Sequence, residues 1–326
     1  MPNVLDHAVT ETITIGTPAA GAYHIALTGT ADYIPHMGVV MLSAARNNPD
    51  LALVFHFFTS GMSPEEKKKL ETASKEMRCA VCVHLIDEAA FDTLLLADRR
   101  SGYFYRLVIP TTLAAVADRV LYLDSDMMCG KGLKALLTKN LEGKTAAVVS
   151  DRYEAAQAAK FGTKRYFNSG MMLIDIKKWV KKNCFNDIVK RAEYNAAHQS
   201  GKPTHHDQDI LNQMLDGDVL FVDKKYNYLY NLDRQSLFKA QPVNEPWEDQ
   251  VIIHFAGHAK PWHSWVQEWP VVRAYAAIQK DSPWKDVPTV PPKGKKNLHQ
   301  AARTARMYGR YGEMLKWYSQ YLAAKL

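Results

Sequence analysis

Two aspartates follow a short apolar run in the segment VLYLDSDMM, residues 120–128. Asp124 and Asp126 are separated by one residue, so both carboxylates could reach one hard divalent cation at the end of a strand. A helix-capping aspartate beside a solvated one is the alternative interpretation of the same spacing. The apolar VLYL before the pair and the two methionines after it are not typical of a surface loop, which favours the cation site.

Further polar residues interrupt apolar segments downstream. Taken singly, a core histidine, a helix-capping aspartate and a solvated lysine are ordinary structural residues. Together they supply the carboxylates, imidazole, amide and ammonium that bind a metal-bound diphosphate and a hydroxyl-rich sugar. The set is Asp151, Asn168, Asp207, His254 and Lys260.

The segments around these residues alternate between strand and helix patterns. From Tyr23 to Asp126 this alternation predicts an α/β fold with a parallel sheet, which binds ligands at the carboxyl ends of its strands. Asp124 and Asp126 stand at such an end. The predicted strands are TETITIG, YHIALTGT, LALVFHFFTS, AVCVHLID and RVLYLDSD, and the predicted helices are 36–47, 63–77 and 103–117, the last with a possible break at Pro110.

The second half of the chain continues with mixed patterns. AAVVSD, VLFVD and VIIHFAG predict strands, and SPWKDVPTVPPKGKK predicts a linker rich in proline and lysine. FNSGMMLIDIKKW predicts a turn that leads into a strand and a helix, and HHDQDILNQML predicts a loop that leads into a helix. Two more helices are predicted at 185–198 and 264–279.

Four segments, in this order and spacing, resemble glycosyltransferase family 8. They are YRL…DRVLYLDSDMM, FNSGMMLIDIKKW, HHDQDILN and IIHFAGHAKPW, and the resemblance covers Tyr23 to Trp262. It implies a retaining enzyme with the GT-A fold, a Rossmann-like mixed sheet flanked by helices that binds a nucleotide sugar. The segment KPWHSW…AAIQKDSPWKD and the basic tail after it are similar to the C-terminal part of bacterial lipopolysaccharide core glucosyl- and galactosyltransferases. The expected division is an N-terminal strand extension (1–22), a catalytic domain (23–263) and a helical basic C-terminal extension (264–326).

The resemblance implies a role for each matching residue. Asp124, Asp126 and His254 would bind Mn²⁺, with Mg²⁺ as a possible substitute, and a set of oxygens with one imidazole suits these ions. Gly257 and Lys260 would contact the diphosphate of a UDP-hexose donor. Asp207 and Gln208 would be the catalytic residues. The remaining donor contacts would come from Thr28, Thr30, Asp32, Arg106, Ser125, Asp151 and Asn168.

The sequence departs from the family at the end of the first strand of the domain. The family usually has an aspartate there that reads the uracil, whereas LTGTADY has Thr30, with Asp32 two residues later. The choice of base is therefore the part of the resemblance that this sequence supports least.

Two routes to retention of anomeric configuration stay open in this family, a covalent intermediate and front-face attack by the acceptor. Gln208 stands where a nucleophile would be expected, and an amide is a poor nucleophile. Front-face attack is therefore favoured, with the leaving phosphate oxygen accepting the proton of the acceptor.

The net charge of +7 is concentrated in the C-terminal segment, since residues 291–326 contain eight lysines and arginines and one glutamate. Apolar residues recur there at three- and four-residue steps, which predicts one amphipathic basic helix. Such a helix could lie on an anionic membrane surface or could dock on the domain with its cations solvated. A nucleic-acid partner is not expected, because no binding motif accompanies the charge. The stripe consists of Leu298, Ala301, Ala305, Tyr308, Tyr311, Leu315, Tyr318 and Leu322.

The location expected from the sequence is the cytoplasm, with peripheral attachment to the inner face of the cytoplasmic membrane. No secretory leader and no apolar stretch long enough to cross a bilayer are recognisable. The four cysteines, including Cys79 and Cys82, are expected to be reduced thiols, because no second pair completes a zinc site.

The expected activity is transfer of glucose or galactose from a UDP-sugar to the lipopolysaccharide core. Two alternatives stay open at this point. One is transfer to a protein or a soluble glycan, and the other is a catalytically degenerate scaffold that binds sugar or membrane.

Overall fold

The computed structural model describes residues 7–94, 101–182, 206–233 and 246–325. Its centre is an eight-stranded mixed sheet with the order β1-β4-β3-β2-β5-β8-β7-β9, beside a three-stranded sheet with the order β10-β11-β6. In the large sheet only β1 and β8 run against the other strands. The strands are β1 (Val9–Ile15), β2 (Tyr23–Gly29), β3 (Leu53–Thr59), β4 (Ala80–Ile86), β5 (Arg119–Asp124), β6 (Met127–Cys129), β7 (Ala146–Ser150), β8 (Phe167–Asp175), β9 (Val219–Phe221), β10 (Tyr228–Leu229) and β11 (Ile252–His254).

Helices pack on both faces of this sheet, so the predicted α/β fold with a helical C-terminal part is confirmed. The β3 sequence LVFHFFT is buried at every position, as expected of a strand covered on both faces. The helices are α1 (Ile34–Arg46), α2 (Pro64–Met77), α3 (Ile109–Leu113), α4 (Lys134–Leu137), α5 (Glu154–Phe161), α6 (Ile176–Lys181), α7 (His206–Met214), α8 (Pro270–Lys280), α9 (Gly294–Met307) and α10 (Tyr311–Ala323).

Several predicted elements differ from the structure. Prolines divide the helices predicted at 103–117 and 264–279, because each proline starts a new helix after a 3-10 turn: Pro110 lies in the first turn of α3 and Pro270 begins α8. The turn predicted at NSG is part of β8, where the pairing with β7 shifts and residues 169–171 form a bulge. The helix predicted at 185–198 lies outside the described residues.

The segment predicted as a linker packs against the main core. Residues 282–293 of this segment contain no helix or strand, as expected, whereas 294–296 already belong to α9; the Trp284 side chain is fully buried. Its Nε1 donates a hydrogen bond of 2.6 Å to Glu66 Oε2 on α2, and a side chain on Gly38 of α1 would collide with its ring. The linker therefore fixes the C-terminal helices to the domain.

The single tail helix predicted from the stripe is wrong, because the chain breaks at Gly309, which has a φ of +69°. The first half of the stripe, on α9, is buried against the domain, with Leu298, Ala301 and Ala305 inside the core. The second half, on α10, faces solvent. In the described part of the chain, no helix has the length and apolar content to cross a membrane.

A side chain on α9 also supports the loop that follows β11, through Asp233. Gln300 is buried, and its Nε2 donates a hydrogen bond of 2.6 Å to Asp233 Oδ1. Asp233 in turn accepts hydrogen bonds from the backbone N–H groups of His258 and Ala259, at 2.8 and 2.9 Å. The C-terminal helix thus supports the loop that carries Lys260.

A chain of three imidazoles crosses one face of the sheet. His24 Nδ1 lies 2.9 Å from His56 Nε2, His56 Nδ1 lies 3.0 Å from His84 Nε2, and Thr12 Oγ1 lies 2.9 Å from His84 Nδ1. Burial lowers the pKa of His56 to about 2 and that of His84 to about 4. The fold therefore holds the His56 and His84 rings neutral near pH 7, and burial lowers the pKa of His24 as well.

The buried imidazoles predict that the folded protein is destabilised by acid. Unfolded histidines have a pKa near 6.5 and take up protons that the folded protein excludes, so the free energy of unfolding should fall as the pH drops below about 6.5. The limiting slope is about 1.4 kcal/mol per pH unit for each such histidine, with His36 and His263 also contributing. Urea unfolding at pH 7.5, 6.5 and 5.5 measures it.

His56→Phe should flatten the pH dependence, whatever its effect at pH 7.5. The matched control is His7→Gln, because His7 is exposed. Equal slopes for the wild type and His56→Phe would contradict the assignment of the acid sensitivity to this chain.

Candidate active site

Three potential metal ligands meet at the carboxyl edge of the large sheet. One carboxylate oxygen from each of Asp124 and Asp126 and one ring nitrogen of His254 all lie within 4.8 Å of one another. His254 Nε2 is 3.2 Å from Asp126 Oδ1 and 3.8 Å from Asp124 Oδ2. The positions follow from the backbone: Asp124 ends β5, and His254 ends β11, which pairs with β6 immediately after Asp126. The sequence prediction placed these three residues together, and the structure does so as well.

Lys260 supplies a positive charge beside this cluster. Its Nζ donates hydrogen bonds to Asp126 Oδ2 and, at 3.0 Å, to the carbonyl of Phe255. Burial opposes ionisation of Asp126, but the positive charge of Lys260 holds the pKa of this carboxyl below its usual range. The edge of the sheet therefore presents an ionised carboxylate and an ammonium side by side.

Arg106 forms the opposite wall of the cluster. It is buried, and it lies 3.0 Å from Asp124 Oδ1 through NH2 and 3.0 Å from Asp207 Oδ2 through Nε. Its NH1 donates to the backbone oxygen and to the hydroxyl of Ser169, at 3.0 and 2.9 Å. Although burial opposes its charge, the carboxylates of Asp124 and Asp207 raise its pKa above the usual value. Arg106 therefore joins β5, the β8 bulge and α7.

Gln208 is fixed by the same bulge. Its Oε1 accepts a hydrogen bond of 3.0 Å from the backbone N–H of Ser169. Its Nε2 faces Asp151 Oδ2 and the hydroxyl of Tyr166, at 3.4 Å from each. Asn168 Nδ2 also lies 3.4 Å from Asp151 Oδ2. The predicted sugar-binding residues Asp151 and Asn168 thus lie next to the predicted catalytic residue Gln208.

Two glycines allow the backbone to approach this site. A Cβ on Gly170 would lie 2.6 Å from His254 Cε1 and 2.8 Å from Asp124 Oδ2. Gly257 has a φ of +112°, a backbone conformation that residues with a side chain adopt only with strain. A Cβ there would lie 3.0 Å from Asp233 Oδ2. Gly257 was predicted from the sequence, whereas the requirement at Gly170 was not.

The other predicted donor contacts, near the ends of β2 and β5, differ in how directly they are bonded to the metal cluster. Thr28 is buried, and its Oγ1 lies 3.1 Å from the hydroxyl of Tyr122, which donates to Asp124. Ser125 is buried between the two aspartates of the cluster. Thr30 lies beyond the end of β2, where its hydroxyl donates to Asp32. Among the described residues, the hydrogen bonds that join the cluster do not extend to Thr30 and Asp32.

Comparisons with known proteins bear on this arrangement. Residues 24–266 match the model of glycosyl transferase family 8, and residues 269–325 match that of the glycosyl transferase family 8 C-terminal region. The chain belongs to glycosyltransferase family 8.

The relatives of this family 8 glycosyltransferase include bacterial enzymes of similar length. It is 29% identical to the lipopolysaccharide 1,3-galactosyltransferase of Salmonella typhimurium over 94% of this chain and 92% of that protein. It is also 29% identical to the lipopolysaccharide glucosyltransferase WaaO of Escherichia coli K12, over 87% of this chain and 85% of that protein. A crystal structure of the galactosyltransferase LgtC with donor and acceptor sugar analogs superposes with a TM-score of 0.65 at 21% identity, over 79% of this chain and 96% of that chain. This likeness confirms the GT-A fold that the resemblance implied.

Several residues of the family 8 site were not predicted from the sequence. Asn227 is buried against His254, and Asp209 accepts a hydrogen bond from the buried Tyr166. Asn212 pairs with both backbone groups of Phe167, at 2.7 and 2.9 Å, and so attaches α7 to the start of β8. Asp209 and Asn212 follow Asp207 by two and five residues in HHDQDILN, so that motif contained the signal. Asn227 lies among tyrosines in KKYNYLYN, where no spacing distinguishes it.

Proposed function

We propose that this family 8 glycosyltransferase moves glucose or galactose from a UDP-sugar to the lipopolysaccharide core with retention of anomeric configuration. The observation that carries the proposal is the cluster of Asp124, Asp126 and His254 beside Lys260, at the sheet edge where α/β folds bind nucleotides. The names of the two bacterial relatives support the hexose donor and the lipopolysaccharide acceptor.

A divalent cation fits this cluster. The donor set of two carboxylates and one imidazole suits Mn²⁺, with Mg²⁺ as a substitute, and the missing side chain of Gly170 leaves space beside His254 and Asp124. Asp124, Asp126 and His254 would hold the ion. When bound, it would supply Lewis-acid stabilisation of the negative charge that develops on the departing diphosphate.

The chain's own side chains have distinct proposed tasks. Lys260 stabilises the charge on the leaving diphosphate, and the positive φ of Gly257 lets the backbone approach it closely. Thr30 and Asp32 contact the base, Thr28 and Ser125 support the donor at the strand end, and Arg106, Asp151 and Asn168 orient the donor sugar. Asp207 orients Arg106 through their 3.0 Å ion pair.

The contacts of Gln208 support front-face attack. Its amide oxygen is engaged by the Ser169 N–H, and an amide is a weak nucleophile in any case. The acceptor hydroxyl then attacks from the side that the diphosphate leaves, and its proton passes to the leaving phosphate oxygen.

The C-terminal helix α10 supports peripheral attachment to the cytoplasmic face of an anionic membrane. Tyr311 and Leu315 are each 63% exposed, and Tyr318 and Leu322 continue the same helical stripe. The same C-terminal segment carries exposed cations, and each basic residue near an anionic surface adds roughly 1 kcal/mol. They include Lys293, Lys295, Lys296, Arg306, Lys316 and Lys325. Arg310 instead pairs with Glu268 and Glu313, at 3.1 and 2.9 Å.

The proposed activity is tested by UDP release with UDP-glucose and UDP-galactose, Mn²⁺ and detergent-solubilised lipopolysaccharide core. Release that depends on the core acceptor and on detergent supports the proposal. Equal release with a protein or a soluble glycan as acceptor would indicate a different substrate, and absence of both transfer and donor hydrolysis would indicate a non-catalytic protein.

Lys260→Ala is expected to lower kcat/KM for the UDP-sugar by about 10²-fold, because it removes the fixed positive charge beside the diphosphate.

Thr30→Ala is expected to change mainly the ratio of kcat/KM values for UDP- and other nucleoside-diphosphate sugars. Steady-state kinetics with matched donors measures both. The control is Lys131→Ala, whose exposed ammonium pairs with Asp249 at 2.9 Å. A wild-type preference for another base would contradict the uridine assignment.

Binding to vesicles that contain anionic lipid is expected to require α10 and to weaken as salt rises, because ionic screening reduces the attraction. The test compares the full-length protein with a truncated variant that lacks residues 311–326. The truncation stops there because α9 is part of the core. Leu315→Ser with Leu322→Ser should reduce co-sedimentation in the same way. The control is Val116→Ser, an exposed apolar residue elsewhere that is 61% accessible. Unchanged binding without α10 would contradict this attachment.

A further inference from the structure

A short hydrogen-bonded chain leads from a backbone amide to the imidazole of the metal cluster. The N–H of Gly170 donates to Asn168 Oδ1 at 3.1 Å, and Asn227 Nδ2 donates to the same oxygen at 2.9 Å. Asn227 Oδ1 lies 2.9 Å from His254 Nδ1. Within this series of hydrogen bonds, the Asn227 side chain directly joins the Asn168 side chain to the His254 ring.

The direction of every bond in this chain follows from its first donor. A backbone N–H can only donate, so the Asn168 atom that faces Gly170 is the oxygen. The other end of the Asn168 amide faces Asp151 Oδ2 at 3.4 Å, which requires the nitrogen there. Asn227 must then present its nitrogen to Asn168 and its oxygen to His254. His254 consequently carries a hydrogen on Nδ1.

The backbone holds Asn227 firmly in this place. The residue is 1% exposed and directly precedes β10. β10 pairs with β11, so that Leu229 lies opposite His254, and the N–H of Tyr230 donates to the His254 carbonyl at 2.8 Å. Rotation of the Asn227 amide would place its oxygen against Asn168 Oδ1, so that two acceptors would face each other there, and would turn its nitrogen toward His254 Nδ1.

We propose that Asn227 is a positioning residue that fixes the Nδ1–H tautomer of His254, and so directs the Nε2 lone pair toward the cation held with Asp124 and Asp126. The same amide orients Asn168, so it couples the metal ligand to the donor-sugar side of the site. This inference rests on the proposed function, because it assumes a divalent cation at the cluster. Partners of metal-bound histidines of this kind typically contribute 10–100-fold to metal affinity or activity.

Two substitutions separate the two bonds of Asn227. Asn227→Leu keeps the approximate size and removes both bonds, so the affinity for Mn²⁺ should fall about 10–100-fold. Asn227→Asp keeps an acceptor for His254 Nδ1 but places an oxygen against Asn168 Oδ1. It should therefore retain Mn²⁺ affinity within a few-fold, while KM for the UDP-sugar rises more than kcat falls.

Mn²⁺ binding is measured on the full-length protein by titration with Mn²⁺ alone and electron paramagnetic resonance of the free ion, so the readout does not depend on activity. Asn48→Leu is the matched control for the loss of a buried amide. Asn48 is buried just beyond the end of α1, donates to Ala44 O at 2.8 Å and accepts from the Leu133 N–H at 2.7 Å. It should lower Tm without changing the Mn²⁺ affinity.

The outcomes distinguish this inference from the proposed function. Wild-type Mn²⁺ affinity in Asn227→Leu, or an equal loss in Asn227→Leu and Asn227→Asp, would overturn the positioning role and leave the metal site intact. A wild-type protein that binds neither Mn²⁺ nor Mg²⁺ would overturn the metal assignment and the inference together.

Discussion

Asp126→Ala is expected to lower kcat by about 10²-fold or more, because it removes a carboxylate that would hold the charge-stabilising cation. The protein should still fold, since the partner that the substitution releases, Lys260, is partly exposed and can reach water. Steady-state UDP release and a thermal melt measure the two effects. Asp124→Ala should be equally inactive but less stable, because the buried Arg106 would lose its ion pair with Asp124 and keep the one with Asp207.

Chelation tests the same site without a substitution. EDTA should abolish UDP release by the wild-type protein, and added Mn²⁺ should restore it. Asp126→Ala should not recover at any practical Mn²⁺ concentration. Full activity of the wild type in the presence of EDTA would contradict the assignment of these aspartates.

Gly170→Ala is expected to reduce kcat by about 10²-fold, because a displacement of about 1 Å at a reacting centre has an effect of this order. The added Cβ would lie 2.6 Å from His254 Cε1 and 2.8 Å from Asp124 Oδ2, so both ligands must move. The apparent affinity for Mn²⁺ should fall together with kcat. Kinetics as a function of Mn²⁺ concentration separate the two effects.

The control for this substitution is Gly312→Ala on α10. Gly312 lies within a helix, and a Cβ there would meet nothing within 4 Å. Alanine is a better helix former than glycine, so this variant should be as active as the wild type and slightly more stable. If Gly170→Ala also retained wild-type activity, the close approach of the bulge to the metal cluster would not matter for function.

The elements with strong local signals were predictable from the sequence. Ser63 and Pro64 predicted the start of α2, and in the structure Ser63 Oγ accepts a hydrogen bond of 3.1 Å from the Glu66 N–H. The metal cluster was predictable because Asp124 and Asp126 follow a buried strand. His254 joined them in the prediction only through the family motif, since one histidine in an apolar strand does not by itself identify a ligand.

The features that depend on tertiary contacts were not predictable. The steric demand at Gly170 arises from His254, 84 positions along the chain, and only the folded structure places the two side by side. The tail was predicted as one helix because its apolar stripe continues through Gly309. The burial of its first half and the exposure of its second half depend on the surface against which α9 packs. The donor roles of Thr30, Asp32 and the other predicted contacts stay predictions.

The bond between Gln300 and Asp233 has a consequence for protein engineering. A chimera in which the C-terminal extension is exchanged for that of another family 8 protein would treat the extension as an independent unit. The exchange would affect the domain, because a foreign helix without a hydrogen-bond donor at the position of Gln300 would remove one partner of Asp233. Asp233 accepts hydrogen bonds from the loop that carries Lys260. A grafted extension should support the loop of Lys260 only if residues 233 and 300 are transferred as a pair.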